Sequence, residues 1–104
     1  MNHIPVMLNE VLELIAAHAH EHKSSLRVLD ATLGLGGYSE AVLEKFIESY
    51  VIGLDRDEQA IEFSRERLKY YEDNSRFEAI HANFGDIHEI INTHDPFNIF
   101  MFDL

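Results

Sequence analysis

Three glycines within four positions separate an apolar run from a segment of helical period. This stretch, Val28-Leu29-Asp30-Ala31-Thr32-Leu33-Gly34-Leu35-Gly36-Gly37-Tyr38-Ser39, restricts the fold more than any other part of the chain. The apolar residues before Asp30 read as a buried strand and those after Gly37 as a helix, so the glycines form the turn between them. Glycine has no Cβ, which lets Gly34, Gly36 and Gly37 take positive φ and approach a bound molecule that a side chain would hold away. The helix that follows directs its unpaired N–H groups and the positive end of its dipole at the same spot, where anionic or polar ligands settle. A strand-to-helix turn that needs glycine only for its own geometry accounts for the same residues.

The next stretch favours a ligand. Tyr50-Val51-Ile52-Gly53-Leu54-Asp55 reads as a second buried strand ending in a carboxylate, and Asp55 lies 21 residues beyond Gly34. An acidic residue at about that distance holds the ribose diol in nucleotide-binding βαβ units. Turn and acid together point to a cofactor that contains a nucleoside.

The rest of the chain fits an α/β fold. An amphipathic helix is expected from Val6 to His20, with Leu8, Val11, Leu12, Ile15 and Ala19 on one face and Pro5 at its entry. His18 and His22 share a face at its end, but no carboxylate or cysteine at metal-ligand spacing accompanies them, so the helix dipole is the favoured explanation and no metal site is assigned. Strand one is expected over Leu26–Ala31. A helix follows over Tyr38–Glu48, with Ala41, Val42, Phe46 and Ile47 inward, and then strand two, Tyr50–Leu54. A further helix, capped by Asp57, runs to about Tyr71 on a stripe of Ala60, Ile61, Ser64, Leu68 and Tyr71, with Glu62–Arg65 and Glu66–Lys69 as exposed pairs. Strand three, Phe77–His81, leads through Ala82-Asn83-Phe84-Gly85-Asp86 into a short helix to Ile91, and Phe97–Leu104 reads as strand four. Strands alternating with helices predict a parallel sheet with right-handed crossovers, whose carboxyl edge receives Asp30, Asp55, Asn83 with Phe84, and Asp103.

Composition excludes several classes. The chain of 104 residues suits one domain, and the absence of cysteine excludes disulfides and thiolate zinc sites and agrees with a reducing cytosol. No apolar run is long enough to span a bilayer, so a soluble, cytoplasmic protein is expected. A net charge of −11 with only eight Lys and Arg argues against a nucleic-acid-binding face made by these residues. Ser39 stands where the dinucleotide pattern G-x-G-x-x-G wants its last glycine, a poorer fit to a pyrophosphate than to a ligand without phosphate.

Four stretches in order resemble the N-terminal part of the MraW-type methyltransferases: His3-Ile4-Pro5-Val6-Met7-Leu8-Asn9-Glu10-Val11, Asp30 to Ser39, Ile52-Gly53-Leu54-Asp55-Arg56-Asp57, and His81-Ala82-Asn83-Phe84. The resemblance covers essentially the whole chain. It implies a Rossmann-like class I methyltransferase fold, here incomplete at about four strands, with residues 1–104 as the cofactor-binding portion of a domain truncated after strand four. It implies S-adenosyl-L-methionine as cofactor and the N4 amine of a cytosine in small-subunit ribosomal RNA as the methyl acceptor, with RNA gripped mainly by parts absent from this stretch. Among residues, it implies that Gly36, Gly37 and Tyr38 line the methionine part, Asp55 binds the ribose, Phe84 packs near the adenine, and Asp103 lies beside the reacting end. The Asp103 carboxylate is a candidate catalytic acceptor for the amine N–H, and a cofactor-positioning or helix-capping carboxylate accounts for it as well. Tyr38 replaces the histidine usual in the family. The 104 residues alone are expected to bind cofactor weakly and without turnover; a structural remnant that binds no ligand is a further alternative. A different class of reading is a stand-alone NAD- or ATP-binding regulatory module that self-associates through its exposed, apolar last strand.

Overall fold

The computed structural model describes Glu13, Ala16 and residues 26–101. The expected first helix as a whole, the His18/His22 pair, Phe102 and Asp103 lie outside the described residues.

Four strands, β1 (Arg27–Asp30), β2 (Tyr50–Asp55), β3 (Phe77–His81) and β4 (Ile99–Met101), form one sheet in the order β3-β2-β1-β4. All neighbours are parallel, with Val28 opposite both Val51 and Ile99, and Val51 opposite Phe77. The strands read as near-continuous apolar runs because both faces of the sheet are covered. One face packs Val28, Val51, Phe77 and Met101 against Val42 and Leu43 of α1 (Gly37–Lys45), Ile61 of α2 (Glu58–Arg67) and Leu68, which lies between α2 and α3 (Lys69–Asp73). The other packs Leu29, Ile52 and Leu54 against Ile90 of α4 (Ile87–Thr93). The two faces follow from topology. The chain moves outward from β1 to β2 to β3, then returns past β1 to β4, and crossovers of one hand running in opposite directions place their helices on opposite faces. That reversal puts a switch point between β1 and β4, at whose carboxyl edge open parallel sheets hold ligands.

Three local expectations are corrected. Helix α1 stops at Lys45 rather than Glu48, with Phe46 extended at φ −116°, and Ile47 is 80% exposed instead of packed inward. The reason lies far along the chain: the Arg76 guanidinium takes the carbonyls of Leu43 and Phe46 at 2.9 Å each and that of Ser49 at 3.0 Å, satisfying the helix end that further turns would have satisfied. The helix after Asp57 is interrupted at Leu68, which is fully buried and has φ −107°, ψ 22°. Its ion pairs are Arg65–Glu72, Lys69–Asp73 and the inter-helix pair Arg67–Glu40, not the two expected from i,i+3 spacing. The Asp57 cap is present, its carboxylate accepting from the Gln59 N–H at 2.9 Å.

Candidate functional site

The site is assembled at the carboxyl ends of β1, β2 and β3. Asp30 closes β1 and is completely buried. Its Oδ1 accepts from the Thr32 N–H at 2.8 Å and the Thr32 hydroxyl at 2.7 Å, and its Oδ2 accepts from the Ser39 hydroxyl at 2.7 Å. One carboxyl group therefore ties the start of the turn to the first turn of α1. Burial raises its pKa above the ordinary 3.8; the bonds from Thr32 and Ser39 oppose that rise, and the neighbouring Asp55 charge adds to it.

The turn itself is held from two sides. Gly34 has φ +50°; its N–H donates to Asp55 Oδ2 at 3.0 Å and its carbonyl accepts from the Ser64 hydroxyl of α2 at 2.9 Å. Gly36 has φ +91° and lies against α2, where an added Cβ would come within 3.4 Å of Leu68 Cδ1 and Ser64 Oγ. Arg67, also on α2, donates to the Leu35 carbonyl at 3.0 Å. Beneath the turn, Gly53 of β2 leaves room for Leu33: a Cβ there would sit 2.5 Å from Leu33 Cδ1.

Asp55 is bound on both oxygens, since Oδ1 accepts from the Asp57 N–H at 2.8 Å while Oδ2 faces the turn. His81, ending β3, bonds through Nε2 to the Arg56 carbonyl at 2.8 Å and so must carry its proton on Nε2. Beside these groups opens a cavity of about 640 Å³. Its walls are apolar at Ala31, Leu54, Ala82 and Ile87, polar at Asp55, Arg56 and Asn83, and completed by Gly85.

The residues expected to form the site are thus divided. Asp55 lines the cavity and touches the glycine turn through the Gly34 N–H. Gly36 is turned toward α2; Gly37 opens α1 with free space where a Cβ would be; Tyr38 is half-buried against the core on that face of the sheet. None of the three borders the cavity. Phe84 begins a 3-10 turn, Phe84–Asp86, between the cavity residues Asn83 and Gly85, and its side chain lies outside the described part, as does Asp103. Sequence reasoning missed the parts played by Ser39, Gly53, Ser64 and Arg56. Only Gly53 carried a usable signal, because a glycine inside a buried strand marks a close approach. Among the described residues no group of three or more His, Asp or Glu side chains could hold a metal ion, and no helix is long and apolar enough to cross a membrane.

A parallel sheet with a reversed crossover, a glycine turn after its first strand and a carboxylate ending its second define a Rossmann-like α/β protein with its ligand edge at the carboxyl ends of the strands. The chain belongs to the MraW methylase family, whose model matches residues 1–104. It is similar to the ribosomal RNA small subunit methyltransferase H of Corynebacterium kroppenstedtii, with 40% identity over an alignment of 96 residues that covers 89% of this chain and 24% of that protein. The protein of the same name from Nitratiruptor is 44% identical over 94 residues, 89% of this chain and 28% of its own length. The chain spans about a quarter of the length of the curated relatives it matches.

Proposed function

We propose that these residues form the cofactor-binding edge of an S-adenosylmethionine-dependent methyltransferase that modifies the N4 amine of a cytosine in small-subunit ribosomal RNA. The observation that carries this reading is the Asp55 carboxylate, held at the rim of an apolar-walled cavity and joined to the glycine turn at 3.0 Å. The donor set fits the group. Asp55 retains lone pairs for the two ribose hydroxyls, Leu54, Ala82 and Ile87 offer apolar contact to a purine, and carboxylates favour a sulfonium. Gly36, Gly37 and Tyr38, which lie outside that cavity, are assigned the methionine portion extending beyond it, and Phe84 the side of the adenine. S-adenosylmethionine, when bound, supplies an electrophilic methyl group for in-line transfer, a reaction in which proximity and orientation provide much of the rate. The exocyclic amine of cytosine is a weak nucleophile because its lone pair is delocalised into the ring. Asp103 is assigned as the acceptor that polarises its N–H.

The relatives are named for a small-subunit ribosomal RNA substrate, which supports RNA as the partner and a cytoplasmic setting. A charge of −11 supports a grip on phosphates made mainly outside these residues. A dinucleotide is disfavoured by Ser39, which stands at the position of the third fingerprint glycine and is fully buried with its hydroxyl bonded to Asp30.

Calorimetry with S-adenosylmethionine, NAD and ATP in parallel tests the assignment. Saturable binding of S-adenosylmethionine alone is expected, weakened at least about tenfold by Asp55→Ala, which removes a charged acceptor. Binding of NAD or ATP without S-adenosylmethionine overturns it.

A further inference from the structure

We infer that Ser64 is a positioning residue for the nucleoside, its buried hydroxyl fixing the glycine turn so that Asp55 meets the ribose hydroxyls in one orientation. The inference rests on the cofactor reading above and extends it to a residue of α2 that does not border the cavity. Ser64 is fully buried, and its hydroxyl donates to the Gly34 carbonyl at 2.9 Å, 30 residues back in the chain. Nothing within α2 calls for that hydroxyl. Ser64 stands on the buried side of the helix with Ile61, where alanine is the better helix former. A serine inside a helix can also satisfy its hydroxyl on the carbonyl four residues earlier, which here would be that of Ala60. The hydroxyl instead leaves its own helix for the turn.

The bond reaches the site through one glycine. Gly34 sits at φ +50°, and glycine passes between positive and negative φ at little cost, so this conformation has to be imposed by its surroundings. Two side chains impose it, one on each peptide flanking the Gly34 Cα. Asp55 Oδ2 accepts from the Gly34 N–H at 3.0 Å, and Ser64 holds the carbonyl of the next peptide. The bonds from the Gly36 N–H to the Leu33 carbonyl at 2.7 Å and from Arg67 to the Leu35 carbonyl at 3.0 Å use neither Gly34 group, so they keep the turn closed without the serine. What the serine bond restrains is the pair of torsions at Gly34, and with them the direction in which its N–H meets Asp55. The other Asp55 oxygen is held by the Asp57 N–H at 2.8 Å, so a shift at Oδ2 rotates the carboxylate about a fixed point. Reaching two adjacent hydroxyls is sensitive to such a rotation, because a hydrogen bond weakens steeply as its angle closes.

The test uses the 104-residue chain and calorimetric dissociation constants for S-adenosylhomocysteine and its 2′,3′-dideoxy counterpart, which lacks the hydroxyls assigned to Asp55. The wild-type chain is expected to bind the dideoxy compound at least about tenfold more weakly than the parent. Ser64→Ala should bind the parent about fivefold more weakly and the dideoxy compound as the wild type does, so that the penalty for losing the hydroxyls shrinks. Thermal melting checks the fold. Ser64→Cys, of similar size with a weak donor, should fall between serine and alanine, and it carries the test if the alanine variant does not fold. Ser49→Ala is the control. Ser49 is also buried and donates its hydroxyl to a carbonyl, that of Phe46 at 2.6 Å, so its loss should lower the melting temperature and leave both dissociation constants unchanged. Equal weakening of both ligands by Ser64→Ala, no weakening of either, or the same shrinkage in Ser49→Ala makes the Ser64 bond purely structural and overturns this inference alone. Failure of the wild-type chain to bind the parent, or to prefer it to the dideoxy compound, overturns the cofactor reading and this inference with it.

Discussion

Replacing Gly53 by alanine adds one methyl group at the most crowded point beneath the glycine turn. The new Cβ would lie 2.5 Å from Leu33 Cδ1, 3.0 Å from Cδ2 and 3.1 Å from Cγ, against the roughly 3.5–4.0 Å at which carbon atoms rest. Leu33 is 1% exposed and packed in the core with Val42, Leu43 and Val51, so it cannot swing into solvent and must move by about 1 Å within a filled space. Overpacking of this kind costs about 1–3 kcal/mol, partly offset by the roughly 0.5–1 kcal/mol that alanine gains over glycine within a strand. Thermal melting followed by circular dichroism should show a fall of about 4–8 °C for each kcal/mol of net loss. A double-mutant cycle isolates the clash. Leu33→Ala removes all three colliding atoms and by itself costs about 2–5 kcal/mol, and Gly53→Ala added to it should then cost nothing or stabilise. Equal losses from Gly53→Ala in the two backgrounds, or no loss in the wild-type background, would refute the packing argument.

Asp30 makes stability depend on pH with a defined sign. Its native pKa is raised above the ordinary 3.8, so between the two values the folded chain binds more protons than the unfolded one, and stability present below about pH 3.8 is lost as pH rises through the native value. Asp30→Asn can still accept from Thr32 and meet Ser39 with its amide, and urea unfolding from pH 4 to 8 should show this decline in the wild type but not in the variant; parallel curves would sink the assignment. Arg76→Ala strips the carbonyls of Leu43, Phe46 and Ser49 of a charged donor and should cost about 1.5–3 kcal/mol in the same assay, with Arg76→Lys recovering only part because an ammonium cannot span three carbonyls as a planar fork does. A loss below about 0.5 kcal/mol for Arg76→Ala would show that α1 ends for another reason.

The strands were legible because their determinants are local. Val28-Leu29 and Val51 to Leu54 are runs that only a sheet covered on both faces would tolerate, and Asp57 two residues before Gln59 is a cap that needs no tertiary information. What escaped the sequence is decided at a distance. Helix α1 ends where Arg76 reaches it from 30 residues away in the chain, a partner that no window around Phe46 contains. Arg65 pairs with Glu72 and Lys69 with Asp73 rather than with Glu62 and Glu66, so the i,i+3 rule, worth a few tenths of a kcal/mol, lost to partners in the next short helix. The acid that ends β2 was legible from its spacing to the turn, whereas Gly53 shows its purpose only once Leu33 is in place above it.

The glycine turn owes its shape to the protein around it. Both polar groups of the Gly34 peptide segment are occupied, the N–H by Asp55 and the carbonyl by Ser64, and Asp30 fastens Thr32 to Ser39 on the other side. A loop fixed in this way loses little conformational freedom when a ligand arrives, so binding energy is not spent on ordering it. The arrangement also couples folding to affinity. A change at Ser64 or Gly53, neither of which borders the cavity, loosens the turn and alters the one carboxylate that the turn and the cavity share. The Gly34 and Asp57 N–H groups keep the two Asp55 oxygens oriented, and under the proposed function this orientation is what a ribose would meet, which makes the neighbours of Asp55 as necessary to the site as the residues that line it.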